Sequence, residues 1–256
     1  MLQAIGKDSS LHGEISHQFF LVRPTSRSRL DFEIVIPTRH LYNSITQAYI
    51  LTPRFEASIY QLFLEVPTMK ANAEYAFESL VDRAFLKGGE WPIRPMVKNP
   101  RNDQNIHYWS PPTTALIHYL TLSGIHVHVS PQHSDAAANP LTRREYNDTQ
   151  TPQLASGVYH KPLSDRPLTF DAFIYDSASL IVTIFQITFG HQQKVSVKGF
   201  DWPIANFPAV RKFRYVLVRP AIDSVDADLL VPNEILSKIS DLPGSLEMWQ
   251  LRMNFD

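Results

Sequence analysis

The stretch FDAFIYDSASLIVTIFQITFG, Phe170 to Gly190, limits what this chain can fold into more than any other part of it. Two apolar runs of strand length flank the turn-forming residues DSAS, a pattern that predicts a tight β-hairpin. Strand side chains alternate between faces. Asp171, Phe173 and Tyr175 therefore share one face of the first strand, and Val182, Ile184, Gln186 and Thr188 share one face of the second. Both faces of the second strand are largely apolar, which predicts a central strand covered on both sides. A turn made by DSAS, or by its central pair, puts Tyr175 opposite Leu180 and Asp171 opposite Ile184. Asp171 and Gln186 are then diagonal neighbours, about 7–8 Å apart at their Cα atoms. An odd-length loop would send them to opposite faces.

This spacing has a chemical meaning. Hydrolysis of a phosphodiester calls for Mg²⁺ held by carboxylates, which polarises the phosphate and lowers the pKa of the attacking water. A lysine beside the ion steadies the developing negative charge. Such a hairpin would carry a Glu and a Lys where this chain has Gln186 and Thr188. Gln186 offers a neutral carbonyl oxygen, and Thr188 can hydrogen-bond a water but cannot neutralise an anion. The plainer alternative is that polar residues at the end of a central strand satisfy loop backbone groups.

The rest of the sequence sets bounds. A chain of 256 residues, 44% hydrophobic and 19% charged, can hold one large domain with an attached module. A net charge of -1 gives no global signal for nucleic acid, so any such surface is local. The absence of cysteine removes disulfides, thiolate zinc sites and cysteine nucleophiles. No apolar h-region opens MLQAIGKDSSLHGE, and the longest apolar run is too short to span a bilayer. A soluble chain with no membrane partner, in the nucleus or cytoplasm, is the expectation.

Prolines divide the chain into pieces. HQFFLVRP and LDFEIVIP read as strands, and RHLYNSITQAYIL and FEASIYQLFLEV as short helices. Together they form a small N-terminal β/α module over residues 1–67. NAEYAFESLVDRAFLKGG reads as a helix with Phe77, Leu80, Val81, Ala84 and Phe85 on its buried stripe and Glu78 at the edge. Gly88 and Gly89 supply its C-cap. TALIHYLTLSG reads as a helix, IHVHVS as a strand, and residues 131–157 as a mobile insertion. FRYVLVRP is a strand, PNEILSKISD a helix, and EMWQLRMNF a half-buried strand with Trp249, Leu251, Met253 and Phe255 on one face.

The blocks AEYAFESLVDRAFLKGG, GVYHKP, RPLTFDAFIYDSASLIVTIFQITFGHQQKVSVKGF and FRYVLVRP, in that order, resemble the C-terminal domain of Crinkler and RHS (retrotransposon hot spot) type proteins. These occur in fungi, oomycetes and some protists. That domain belongs to the PD-(D/E)XK restriction-endonuclease-like superfamily. The resemblance implies an α/β (α+β) fold over residues 68–256. Its core would be a mixed central sheet flanked by helices: a helix, a three-stranded meander, a second helix and a closing strand. It implies catalytic roles for Glu78, Asp171, Gln186 and Thr188, with Glu78, Asp171 and Gln186 holding Mg²⁺ or Mn²⁺ if the site is active. Gln186 and Thr188 depart from the signature. FDWPIANFPAVRK, with two prolines, predicts that the second helix is shortened or lost. No Walker-type G-x-x-x-x-G-K-[ST] is present, so phosphate cradling of that kind is not expected.

From Gly190 to Pro220 six basic residues, Lys194, Lys198, Arg211, Lys212, Arg214 and Arg219, face one acid, Asp201. They read either as a nucleic-acid-binding strip beside the hairpin, with DNA the expected partner, or as a solvated face balanced by acids elsewhere. His126 and His128 have a spacing that can place two imidazoles on a metal, with His133 nearby, but a solvated strand face is the preferred reading. Trp91 and the HYW at 107–109 suit base stacking or packing. Three functions remain open: a degenerate nuclease fold that binds nucleic acid, an active Mg²⁺- or Mn²⁺-dependent nuclease, and a non-enzymatic effector or protein-interaction scaffold.

Overall fold

The computed structural model describes residues 21–25, 28–35, 57, 60–61, 63–65, 70–100, 105–124, 126–134, 139–147, 152–163, 170–207, 209–221, 226–240 and 245–255. The chain divides into two units, residues 1–80 with 255–256, and residues 81–254. In the first unit β1 (Leu21–Thr25) pairs antiparallel with β2 (Ser28–Val35), Leu21 opposite Val35. These are the two strands expected there. The helix expected over residues 39–51 lies outside the described residues. The helix expected over residues 55–66 is helical at each position described.

Helix α1 (Lys70–Lys87) carries the predicted apolar stripe, with Phe77, Leu80, Val81 and Phe85 buried. Within the first unit Phe77 stacks on Tyr60, ring centroids 5.8 Å apart. The helix ends where Gly88 takes the left-handed φ of 71° and its N–H donates to Phe85 O at 2.9 Å, a glycine C-cap. The division between the units falls within α1, later than the boundary at residue 67 read from the sequence.

The second unit is mixed α/β. Its strands and helices are β3 (Gly89–Pro95), β4 (Val97–Lys98), β5 (Ile106–Ser110), β6 (His118–Leu122), β7 (Val127–Ser130), β8 (Thr142–Tyr146), β9 (Val158–Pro162), β10 (Ala172–Asp176), β11 (Ile181–Ile187), β12 (Gln192–Lys194), α2 (Val197–Asn206), β13 (Lys212–Pro220), β14 (Asp228–Pro232), α3 (Asn233–Ser240) and β15 (Ser245–Met253). Nine strands form one sheet in the order β7-β6-β3-β15-β13-β11-β10-β9-β8, and β12-β14-β5-β4 form a smaller one. β9, β10 and β11 are an antiparallel meander. β11, β13 and β15 then run parallel, with α2 and α3 in the connections.

The two faces of the large sheet are covered differently. On one, Phe85 of α1 meets Phe185 at 4.7 Å and Tyr159 at 6.2 Å. On the other, Phe173, Val182, Ile184, Phe213, Tyr215 and Met248 pack with Phe200 and Phe207 of the α2 region and with Ile235 and Ile239 of α3. β11 is therefore the doubly covered central strand expected from its apolar faces.

Several sequence expectations are corrected. TALIHYLTLSG contains strand β6, not a helix: Leu120 and Leu122 are buried on alternate positions, and the segment pairs with both β3 and β7. Within the stretch read as an insertion, Thr142–Tyr146 is the edge strand β8, paired parallel with β9. The helix expected to be shortened or lost is not lost. α2 has ten residues, with Ser196 as N-cap accepting from Gly199 N–H at 3.3 Å. Pro203 removes one intrahelical donor but is itself buried, so its ring contributes packing where the bond is lost. β15 is buried on both faces rather than one, with Met248, Trp249, Gln250 and Leu251 all buried. No helix among the described residues is long and apolar enough to cross a membrane.

Candidate functional site

The hairpin is present, with its register moved by two residues. Asp176 pairs with Ile181 and Phe173 with Ile184, so the loop is Ser177 to Leu180. Asp176 Oδ1 accepts from Ala178 N–H at 2.9 Å and Ser179 N–H at 3.3 Å, and Leu180 takes a positive φ of 55°. The Asp side chain thus closes the turn from the strand side, which shifts the loop one residue along. An even shift keeps every side chain on its predicted face. It also brings Asp171 beside Gln186 rather than diagonal to it.

Asp171 finishes the ladder. Its N–H donates to Phe185 O at 2.8 Å, and its carboxylate Oδ2 accepts from Ile187 N–H at 2.6 Å and from Gln186 Nε2 at 3.1 Å. Gln186 turns its carbonyl oxygen toward the Tyr215 hydroxyl, 3.5 Å away. Burial, and after it the Asp171 charge, raises the Tyr215 phenol well above its ordinary range. The chemistry of residue 186 matters here. A glutamate beside Asp171 would set two carboxylates against each other and call for a cation between them. The glutamine amide donates to the carboxylate and bridges the same gap without one.

Thr188 is buried. Its N–H donates to Val218 O at 3.0 Å, and its Oγ1 accepts from Gly190 N–H at 3.0 Å. The hydroxyl shapes the exit of β11. Glu78 is buried on the part of α1 that belongs to the first unit.

The basic residues separate into two groups. Lys194 on β12 and Lys198 on α2 are exposed. Arg211 is exposed just before β13, where Lys212 lies beside Ile181 and Arg214 beside Thr183. Gln186, by contrast, lies beside Leu217. Lys212 is therefore five residues, about 16 Å, down the strand from Asp171's end of the sheet. Lys212 Nζ meets Glu247 Oε1 at 2.6 Å, and Arg214 Nε lies 3.5 Å from Glu247 Oε2. Burial lowers Arg214, against the pull of Glu247 and Asp176. Burial pushes the Glu247 carboxyl up, but its lysine hydrogen bond and the Arg214 and Lys212 charges outweigh this, and its pKa is lowered.

The other candidates have ordinary partners. His133 Nδ1 lies 2.9 Å from Glu90, while His126 and His128 are exposed. Among the described residues no group of three His, Cys, Asp or Glu side chains is placed to hold a metal ion. Trp91 packs edge-on against Phe85 at 5.2 Å, and Trp109 packs against the core. His107 lies 3.3 Å from Asn233 Oδ1.

Sequence reasoning missed a buried polar cluster on the α1 face. Tyr159 OH donates to Asp82 Oδ1 at 2.5 Å, and Lys161 Nζ donates to the other carboxylate oxygen of Asp82. Burial first, then Asp82 and Asp171, raises the Tyr159 phenol well above its ordinary value. The alternation VYHKP was the available signal, since it puts Tyr159 and Lys161 on one face. It also missed His160, which is fully buried and stacked on Phe173 at 4.6 Å. Burial, with Arg144 nearby, lowers His160 from 6.5 to about 4.

No protein-family model, no curated protein and no solved structure matches this chain.

Proposed function

We propose that this chain is a degenerate nuclease-fold domain of the Crinkler/RHS type that binds nucleic acid, DNA first, with hydrolysis weak or absent. Support for the restriction-endonuclease-like core comes from the connectivity. Helix α1 is followed by the meander β9, β10 and β11, then crossover helix α2, then β13 parallel to β11. That is the sequence of elements the resemblance implies, with β3 to β8 inserted after the first helix.

One observation carries the functional half of the reading. The Asp171 carboxylate accepts from the Ile187 amide and the Gln186 side chain, so the hairpin is cross-linked by hydrogen bonds where the signature would place an ion. Thr188, at the lysine position, is buried and bonded to Gly190. Binding falls to exposed cations, of which Lys194 and Lys198 follow the hairpin directly. Contacts of this kind neutralise phosphates without reading bases.

The test is filter binding of duplex and single-stranded DNA and RNA across a salt series in EDTA, with a nicking assay in Mg²⁺ and Mn²⁺ alongside. Metal-independent binding that weakens steeply with salt, without nicking, is expected. Absence of salt-dependent nucleic-acid binding would point instead to a protein-interaction scaffold.

A further inference from the structure

The C-terminal ends of β11, β13 and β15 carry two polar rows on the face opposite α1. Gln186, Leu217, Gln250 and Arg94 occupy one row across β11, β13, β15 and β3, each beside the next in register. In the neighbouring row Arg219 lies beside Arg252. Three arginines and two glutamines thus gather where a mixed sheet presents the carboxyl ends of its parallel strands. That is the usual location of ligand crevices in open α/β sheets.

Gln250 makes this more than a charged surface. It is 1% exposed, and neither its Oε1 nor its Nε2 has a hydrogen-bond partner among the described residues. A buried primary amide left unsatisfied on both atoms is rare and costly in a folded chain. Its neighbours are organised around it. Arg94 holds Asp226 through two bonds of 2.9 and 2.8 Å and also donates to Pro112 O at 2.9 Å. Arg219 is 1% exposed and donates to His191 Nδ1 at 3.1 Å, which places that ring's proton on Nε2, since a guanidinium only donates. Arg252 is half-buried and Arg94 part-exposed.

We infer that Gln250, Arg219 and Arg252, braced by Arg94, form a binding site for a phosphate-class oxyanion. Strands stand about 4.8 Å apart, so Arg219 and Arg252 leave adjacent strands on one face. Planar guanidiniums in that arrangement match the several oxygens of a phosphate. The Gln250 amide supplies a neutral donor from within the sheet. The inference goes beyond the nuclease-fold reading, because an oxyanion site of this kind requires neither a metal nor nuclease ancestry.

The experiment is calorimetric titration in EDTA at constant ionic strength with inorganic phosphate, with AMP and with a short single-stranded oligonucleotide. Wild type is compared with Gln250→Leu, Arg252→Gln and, as a control in the hairpin loop at the other end of the strands, Ser179→Ala. Thermal scans confirm that each variant is folded. Saturable binding weakened at least tenfold in Gln250→Leu and Arg252→Gln, and unchanged in Ser179→Ala, is the expected result. If phosphate and AMP bind, the site takes a free anion; if only the oligonucleotide binds, it takes a strand phosphate. Absence of saturable binding by all three probes overturns the site, as does binding that survives both substitutions. Oligonucleotide binding lost in Lys194→Gln/Lys198→Gln, but retained in the Gln250 and Arg252 variants, would also overturn it while leaving the nucleic-acid reading in place.

Discussion

The two ends of β11, β13 and β15 handle buried charge differently. At the hairpin-loop end the charges are paired: Asp176 closes its own turn, and Glu247 lies against Lys212 and the buried Arg214, while Thr183 Oγ1 and Arg214 Nη1 make no hydrogen bond among the described residues. At the other end Asp171 and Gln186 satisfy each other and Ile187, while Gln250 keeps both amide atoms unpartnered beside two arginines. Burying polar groups is tolerable when they are hydrogen-bonded and costly when they are not. The first end pairs its charges within the fold. The second holds a buried amide with neither atom bonded and two arginines in the adjoining row.

Opposite responses to deletion would sharpen that contrast. Glu247→Ala should be the most damaging change, because it strands Arg214 in the sheet. A loss of roughly 3 kcal/mol is expected, read as a lower urea midpoint. Asp171→Ala should cost about 2 kcal/mol by orphaning the Ile187 N–H, whereas Asp171→Asn keeps an acceptor there and should cost less than half as much. Equal losses from the two Asp171 variants would show that the carboxylate's charge, not its hydrogen bond, is what the fold uses.

His160 gives a pH test on the same face as Gln250. Its pKa is lowered by burial from 6.5 to about 4, so the unfolded chain binds a proton that the folded chain refuses between those values. Its contribution is complete above about pH 6.5 and is lost as pH falls toward 4. By pH 5 that loss is at most about 2 kcal/mol, a few degrees in melting temperature for a chain of this size. A His160→Phe variant should lack this part of the acid sensitivity. An unchanged pH profile would mean that the ring is not buried neutral. Smallest, and opposite in sign, is Gln250→Leu, expected to raise stability by about 1 kcal/mol, since an apolar side chain of similar size removes an unmet amide. Destabilisation there would break the comparison between the two ends.

Much of this was legible in the sequence wherever periodicity carried it. The α1 stripe, the hairpin, the faces of Asp171 and Gln186, and the strand at Phe213–Pro220 all follow from spacing. Register did not, because Asp176 closes the turn with its side chain and moves the loop by one residue. The α2 helix was hidden by Pro203, whose burial offsets its missing donor. The nature of the site was least legible. The basic residues from 190 to 220 are close in sequence, yet a parallel crossover carries Arg211, Lys212 and Arg214 to the far end of the sheet from Asp171. The Asp82–Lys161–Tyr159 cluster joins a helix to a strand nearly eighty residues later, a distance that local pattern cannot see. Gln250 did leave a mark, a lone amide inside the apolar alternation of EMWQLRM. Its meaning depends on β15 being buried on both faces.

The central claim is that Asp171 ends a β-ladder rather than holding a metal. A plasmid-nicking assay in Mg²⁺, Mn²⁺ and EDTA, with Asp171→Asn beside the wild type, tests it directly. The account predicts intact plasmid in all three conditions for both proteins. Metal-dependent nicking by the wild type that disappears in Asp171→Asn would contradict it and return this hairpin to the catalytic role its spacing first suggested.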